Sequence, residues 1–138
     1  MLYSRLDRFY RKINRMLNVI LDRCDLSSSQ LLLLNVVAEK KIVNAKEIRE
    51  NMDLDSASVA GLIARLQKKK ALRKTRSVKD HRFFELSLTT RGKELQSSGS
   101  SLLEEFDSKI ESLLSIEEGD FFRSILDKME SLKLRKKS

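Results

Sequence analysis

The chain has 138 residues, of which 41% are hydrophobic and 35% are charged, and it carries a net charge of +8. This length suits one domain that buries about two-thirds of its unfolded surface. The sequence has no proline and only 4 glycines, which favours long helices. The excess of Lys and Arg indicates a polyanionic partner, because clustered cations displace counterions from phosphates.

Other features of the sequence argue against several classes of protein. The single cysteine, Cys24, excludes an internal disulfide framework and suits a reducing cytoplasm. Charges interrupt the apolar residues of the N-terminus, which is therefore not a secretory signal, and the longest apolar run, 31–34, is too short to cross a membrane. No Gly-rich phosphate loop, nucleophile elbow or His/Cys/Asp cluster occurs, and His81 is the only histidine. We therefore expect a cytoplasmic protein that is not an enzyme, uses no cofactor or metal, and binds no membrane.

The first third of the chain is predicted to be helical. Apolar residues recur every three or four positions over 2–23, which is typical of an amphipathic helix. The run Ser27-Ser28-Ser29-Gln30 fits a capping box, in which Ser27 and Gln30 satisfy free amides at a helix start. The helix that follows, 31–39, is apolar on most sides, so we expect it to lie at the centre of the core.

The next stretch predicts a helix-turn-helix. A second capping box, Asn44 to Glu47, starts a short helix that buries Ile48 and Met52. After a turn, Asp55 can cap a longer helix. In that helix an apolar stripe at i, i+3, i+4 and i+7 would pack on the core, namely Val59, Leu62, Ile63 and Leu66.

Two short strands are predicted after this helix, at 72–77 and 82–88, separated by a charged turn. In the second strand Phe84, Leu86 and Leu88 alternate with polar or outward positions, and we expect them to face inward. Helix, turn, helix and hairpin follow one another in the order of a winged helix-turn-helix, which places one helix in a DNA groove and the hairpin beside it.

The C-terminal third is predicted to be helical again. Thr89 can cap a long helix to about Leu114, and Ser115 can cap a last helix that buries its apolar side. The serine-rich segment 97–101 fits either a linker or a weak helix; the apolar period continues through it, which favours the helix. The basic tail, 134–138, is predicted to be frayed.

The charges are segregated along the chain. Nine acids and three bases lie between Glu104 and Glu130, whereas a single acid lies between Arg65 and Arg82. A uniformly solvated surface would not separate the charges in this way. The segment from Arg65 to Arg82 contains nine bases: Arg65, Lys68, Lys69, Lys70, Arg73, Lys74, Arg76, Lys79 and Arg82.

The motifs Asp80-His81-Arg82 and Ser87-Leu88-Thr89-Thr90-Arg91-Gly92, placed after the helix-turn-helix, resemble those of MarR-family transcriptional regulators. The resemblance covers nearly the whole chain and implies a homodimer whose N- and C-terminal helices interlock, each subunit binding half of a palindrome. Many relatives release DNA when a small aromatic or phenolic ligand binds, or when a cysteine is oxidised. One departure is Lys70-Ala71-Leu72, where the family usually has a glycine; an alanine there must avoid a positive φ or accept strain.

We therefore predict a mainly α fold with a small β-hairpin wing (α+β). The expected division is an N-terminal dimerisation helix (1–25), a winged helix-turn-helix (26–92) and C-terminal dimerisation helices (93–138). The expected function is that of a sequence-specific DNA-binding transcriptional regulator, a repressor that binds a pseudo-palindromic operator as a homodimer. The alternative is a winged helix used as a protein–protein adaptor, although a basic wing argues against it.

The predicted DNA contacts fall into three groups. By resemblance, Arg82 enters the minor groove while Asp80 orients it; the alternative is an ordinary surface ion pair. The outward residues of the longer helix of the helix-turn-helix would face the major groove. Few of them can form hydrogen bonds, so we expect only modest readout of the bases. The alternative is that these residues pack beneath a loop. These outward residues are Ser56, Ala57, Ser58, Ala60, Gly61 and Arg65. The candidates for phosphate contact, as a set, are Lys68, Lys69, Lys70, Arg73, Lys74, Arg76 and Lys79.

The terminal helices carry more apolar surface than a small winged helix core could cover, which indicates a dimer interface. Cys24 is interpreted as a small half-buried hydrophobe rather than a redox sensor, since the acids beside it oppose a thiolate. Leu17 is counted with this apolar surface. The residues assigned to the interface are Leu2, Leu6, Phe9, Phe121, Phe122, Ile125 and Met129.

Overall fold

The computed structural model describes residues 1–134, and the frayed tail predicted at 134–138 lies almost wholly outside them. The chain divides into two compact units, residues 1–103 and the residues from 104 onward. The described elements are α1 (Leu2–Leu21), α2 (Ser28–Lys40), α3 (Ala45–Met52), α4 (Ser56–Lys68), β1 (Leu72–Arg76), β2 (Phe84–Leu88), α5 (Thr90–Glu111) and α6 (Ile116–Glu130). The predicted α+β winged helix fold is confirmed.

The predicted caps set the helix starts. The Ser27 hydroxyl accepts a hydrogen bond from the amide of Gln30 (3.2 Å), whose side chain accepts one from the Ser27 amide (3.3 Å). Asn44 and Glu47 make the same reciprocal pair at α3, with distances of 2.9 and 3.3 Å. Because a capping box spans the first turn, α2 begins at Ser28, three residues before the predicted start.

The core of the first unit forms around α2, as predicted. Leu31, Leu33, Leu34 and Val37 are fully buried, although Leu32 is exposed. The predicted stripe of α4 is buried too, while Met52 at the end of α3 is only half-buried. The apolar side of α4 thus packs on the core, leaving its other side open.

The wing is a two-stranded antiparallel hairpin in which Leu72 pairs with Leu88 and Arg76 with Phe84. Leu86 is buried and bridges Val43, but Phe84 is 43% exposed, so its predicted inward position is wrong. Phe84 lies at the turn end of the hairpin, opposite Arg76 and beyond the core that covers Leu86. Strand β2 begins at Phe84 rather than residue 82 because Asp80 to Phe83 form a turn, closed by a hydrogen bond from the Phe83 amide to the Asp80 carbonyl (3.1 Å).

The junction between α4, the wing and α5 depends on close backbone contacts. Lys70, not Ala71, adopts the left-handed conformation (φ 60°), so alanine avoids the strain considered above. The Thr89 hydroxyl donates to the Lys70 carbonyl (2.6 Å) and accepts from the Gly92 amide (3.0 Å), which confirms Thr89 as the cap of α5. A Cβ on Gly92 would lie 2.0 Å from the Ala71 carbonyl oxygen, so this position requires glycine.

Helix α5 is continuous through the serine-rich segment, which excludes the linker interpretation. A Cβ on Gly99 would lie 2.7 Å from a methyl of Leu31 and 3.0 Å from one of Leu26. Gly99 therefore lets α5 approach α2 closely. The side chains of Gln96 and Ser100 both donate to Asn35 (2.9 and 3.0 Å), which fixes the same contact.

In the second unit, Ser115 caps α6 through a reciprocal bond with Glu118, as predicted. The expected burial of the apolar side of α6 is wrong for the single chain: Phe121 and Phe122 are exposed and Ile125 is half-buried. In the first unit the start of α1 is also exposed, including Leu2, Leu6 and Phe9, whereas Leu17 is buried within the chain. Within residues 1–134 these side chains remain partly or largely exposed. None of the helices described is long and apolar enough to cross a membrane.

Candidate nucleic-acid interface

The outer side of α4 carries small residues in the open. Asp55 caps the helix by accepting a hydrogen bond from the Ser58 amide (2.7 Å), and this bond lowers the pKa of Asp55. A Cβ added to Gly61 would contact only the Arg65 side chain, one turn along the same helix, with the nearest guanidinium atom at 3.6 Å. The alternative that a loop covers these residues is therefore wrong. The exposed residues are Ser56, Ala57, Ser58, Ala60, Ala64, Arg65 and Lys68.

Lys69 stands apart from the other predicted phosphate contacts. Its amine donates to the backbone carbonyl of Asp25 and to the Gln30 side chain (2.8 Å), and it lies 3.7 Å from the Asp25 carboxylate. Its side chain is only 25% exposed. Lys69 thus ties the end of α4 to the turn between α1 and α2 rather than pointing freely to solvent.

The wing tip presents Arg82 on a fixed support. Asp80 accepts from the Arg82 side chain at Nε (3.0 Å) and Nη2 (2.8 Å) and from its backbone amide (3.1 Å). The Arg82 side chain is 84% exposed. Hydrogen bonding to Arg82 lowers the pKa of Asp80, and Asp80 raises the pKa of Arg82. The structure therefore brings together the two residues that the D-x-R motif singles out.

Two phenylalanines lie in contact with cations of the wing, a role that the sequence analysis did not predict. The Lys74 amine lies 4.5 Å from the centre of the Phe84 ring, and the Arg76 guanidinium lies 5.4 Å from it. Arg82 lies 5.8 Å from the Phe83 ring. Attraction to the ring faces restricts these side chains, which lowers the entropy cost of binding an anion. These contacts follow from the hairpin register, which places Phe84 directly opposite Arg76 and is known only from the structure.

The remaining wing cations, Arg73 and Lys79, are exposed, as is Lys70 at the start of the wing. Arg76 also donates to the carbonyl of His81 (3.0 Å), which braces the turn. With the exception of Lys69, the predicted set of cations is therefore accessible to a polyanion.

Cys24 lies half-buried after α1, and its thiol donates to the Leu21 carbonyl (3.3 Å). Burial raises the pKa of the Cys24 thiol, with Asp25 adding to the rise and Lys69 opposing it. A raised pKa disfavours the reactive thiolate, in keeping with a packing role. Within the described part of the chain, no group of His, Cys, Asp and Glu side chains is arranged to hold a metal.

Comparison with known protein families shows to which family this winged helix-turn-helix belongs. A family model described as "Transcriptional regulator SarA/Rot" matches residues 15–98, which include α2, both helices of the helix-turn-helix and the wing. The chain belongs to the SarA/Rot family of transcriptional regulators. The predicted class, a DNA-binding transcriptional regulator, is confirmed, and the adaptor alternative gains no support. Members of this family are regulators and not enzymes.

Similar proteins include the HTH-type transcriptional regulator SarZ of Staphylococcus saprophyticus, 26% identical over 68% of this chain and 67% of that protein. SarZ of Staphylococcus aureus is 33% identical over 53% of this chain. The matched part of this chain spans about half of the S. aureus protein (49%).

Solved structures share the fold over nearly the full length. Bordetella bronchiseptica BpsR superposes with a TM-score of 0.89 at 20% identity, covering 96% of this chain and 95% of BpsR. A mutant MarR of Escherichia coli in complex with operator DNA gives a TM-score of 0.86 at 20% identity and 94% coverage of both chains. The resemblance of the motifs to the MarR family is thus confirmed at the level of the fold.

Proposed function

We propose that this regulator represses transcription in the cytoplasm by binding a pseudo-palindromic operator as a homodimer. The observation that carries the proposal is the exposed guanidinium of Arg82, held by both oxygens of Asp80 at the tip of a basic wing. An arginine presented in this way suits the narrow minor groove, where the negative potential is greatest. The wing cations supply phosphate contacts beside it.

Direct readout by α4 is modest in this proposal. Of its exposed residues only Ser56, Ser58 and Arg65 carry side chains that can donate to base edges or accept from them. Ala57 and Ala60 can contact thymine methyl groups, and Gly61 permits close approach of the duplex. Affinity then comes mainly from phosphates and the wing, and specificity partly from groove shape.

The homodimer is supported by the apolar side chains that the single chain leaves open. Phe121 in α6 is 69% exposed, and Leu2 in α1 is 71% exposed. Exposed apolar surface of this kind on regular helices marks a protein interface. A symmetric dimer would present two α4 helices about 34 Å apart, one turn of DNA, which accounts for the pseudo-palindrome.

A small aromatic effector is the further part of the proposal. In BpsR, which shares the fold of this chain, DNA binding is regulated by 6-hydroxynicotinic acid. By analogy, we propose that a small aromatic ligand also regulates DNA binding by this chain.

Selection of random-sequence duplexes by the purified full chain tests the proposed function. We expect enrichment of a two-fold symmetric sequence, and sedimentation of the complex with two chains per duplex. Arg82→Ala should weaken binding to the selected duplex, while Arg8→Ala, which removes an exposed arginine of α1, serves as the matched control. Absence of an enriched sequence, or equal affinity of Arg82→Ala and wild type, would overturn the proposal and favour an adaptor role.

A further inference from the structure

Lys69, the residue at which α4 ends, is held by the turn that follows α1. Its amine donates to the Asp25 carbonyl and to Oε1 of Gln30 (2.8 Å), and it leaves only 25% of its side chain exposed. The neighbouring Lys68 and Lys70 are exposed. Withdrawing an ammonium group from water costs free energy unless hydrogen bonds replace its hydration. The contacts of Lys69 therefore replace hydration that its neighbours keep.

The contact of Lys69 continues through Gln30 into the start of α2. Gln30 is 7% exposed, and its Oε1 also accepts a hydrogen bond from the Ser27 amide (3.3 Å), which belongs to the capping box. A single oxygen atom thus serves both the start of α2 and the end of α4. Removal of the Lys69 amine would free the end of α4 from the start of α2.

The start of α2 is bound in turn to α1. Ser28 is 5% exposed; its amide donates to Oδ1 of Asn18 (2.6 Å) and its hydroxyl donates to Oδ1 of Asn14 (2.6 Å). Asn14 and Asn18 lie about one turn apart on α1. Hydrogen-bonded residues therefore lead from the end of α4 to α1, all within the first unit. We call the following set the polar chain: Lys69, Gln30, Ser27, Ser28, Asn18 and Asn14.

The polar chain fixes an orientation that apolar packing alone would leave adjustable. Burial of apolar surface is non-directional, whereas hydrogen bonds require aligned donors and acceptors. Among residues 1–134, every buried side-chain nitrogen or oxygen has a hydrogen-bond partner. Buried polar networks that are fully satisfied hold their members in one arrangement. The orientation of α4 relative to α1 is thus set by specific bonds.

We propose that the polar chain positions α4 relative to α1 and thereby sets the separation of the half-sites that a dimer accepts. The start of α1 belongs to the proposed dimer interface, so the placement of each α4 on its own α1 decides how far apart the two α4 helices lie. One added base pair turns the second half-site by about 35° and moves it by about 3.4 Å, which a firmly held α4 does not follow. Lys69 is a positioning residue in this proposal and does not contact DNA.

The fixing of α4 on α1 is tested without DNA, by pulsed electron double resonance between two spin labels on the full chain. Labels are attached in a Cys24→Ser background at Arg15→Cys in α1 and Ala64→Cys in α4, both exposed positions. An excess of unlabelled chain ensures that distances within one chain dominate the signal. We expect a narrow distribution of distances between the two labels.

Two variants of the labelled chain decide this step. Lys69→Met removes the amine, and Asn18→Ala removes the acceptor of the Ser28 amide; each should broaden or shift the distribution. Lys68→Met, the adjacent exposed lysine, should leave it unchanged. An unchanged distribution in either variant that folds would overturn the proposal.

The spacing of the half-sites is tested with the selected duplex and with duplexes that have one base pair added or removed between the half-sites. Wild type should bind the altered duplexes about tenfold more weakly or worse, and in Lys69→Met and Asn18→Ala this ratio should fall to about threefold. Lys68→Met should weaken binding to all three duplexes by the same factor, because it removes a proposed phosphate contact. Ile48→Val, a core variant outside the polar chain, controls for lowered stability and should leave the ratio unchanged.

The two measurements separate this inference from the proposed function, on which only the spacing step rests. If Lys69→Met loosens α4 on α1 but the wild-type chain selects no duplex, the proposed function fails and the role of the polar chain within the fold stands. If Lys69→Met loses stability but keeps the wild-type ratio, Lys69 is only structural and the spacing step is wrong.

Discussion

Asp80 holds the side chain of Arg82 with both of its carboxylate oxygens, at 3.0 Å to Nε and 2.8 Å to Nη2, on the outside of the wing. Both side chains belong to a turn of four residues, so the pair contributes little to holding distant parts of the chain together. Exposed ion pairs of this kind stabilise proteins weakly. We infer that the pair serves to orient Arg82.

Substitution of the two partners should give effects of the same sign on DNA affinity. Arg82→Ala should weaken operator binding about tenfold or more, as expected for loss of a groove contact. Asp80→Ala removes a negative charge near DNA, which by charge alone would strengthen binding. If Asp80 orients Arg82, Asp80→Ala weakens binding instead. Fluorescence anisotropy at fixed salt measures both, and tighter binding by Asp80→Ala would contradict the orienting role.

The same pair predicts a pH dependence. Hydrogen bonding to Arg82 lowers the pKa of Asp80. The small contribution of this pair to the free energy of unfolding is therefore fully present above the ordinary carboxyl pKa of about 4, and it is lost as the pH falls through the lower pKa of the folded state. In an NMR titration of the side-chain carboxyl carbons, Arg82→Ala should raise the pKa of Asp80 towards its ordinary range. An unchanged value would show that the two side chains do not interact in solution.

Two glycines within helices should respond oppositely to alanine. Gly99→Ala should destabilise the chain by about 1–3 kcal/mol, because the added methyl meets Leu31 and Leu26 in the core. Gly61→Ala should stabilise it by about 1 kcal/mol through helix propensity, since only Arg65 is near. Urea unfolding measures both.

Gly61→Ala carries a second expectation, because DNA is proposed to approach α4 closely at this residue. The variant should bind the selected duplex more weakly than wild type although its fold is more stable. Unchanged or tighter binding would show that Gly61 is not a point of close approach.

Lys68 and Lys69 are adjacent but should differ in role. Lys68 is exposed at the end of α4, so Lys68→Met should reduce the salt slope of DNA binding by about 1. Lys69 binds Asp25 and Gln30, so Lys69→Met should lower the free energy of unfolding and leave the slope nearly unchanged. A reversal of these two outcomes would show that Lys69 contacts phosphate.

The sequence predicted what depends on neighbours along the chain. The caps at Ser27, Asn44 and Thr89 follow from local spacing, and so does the buried stripe of α4. Features set by distant residues were not predictable in this way. Lys69 meets Asp25 across 44 positions, and the exposure of Phe84 depends on how far the core extends along the hairpin.

The candidate DNA interface shows the same difference between local contacts, which were predictable, and contacts between distant residues, which were not. The D-x-R motif gave Asp80 and Arg82, whose contact is local. The stacking of Lys74 on Phe84 joins opposite strands, and it becomes visible only when the register is known. The left-handed residue at the start of the wing is Lys70, just after the end of α4, so Ala71 avoids a positive φ.

The most direct test of the central claim, that phosphate contacts and the wing carry the affinity, is the salt dependence of binding to the selected duplex. Each neutralised phosphate contributes a slope of about −0.9 to log K against log salt, so a dimer using several wing cations should give a slope steeper than about −4. In Arg82→Ala the affinity should fall at every salt concentration. Tight sequence-specific binding with a slope near zero would contradict the account.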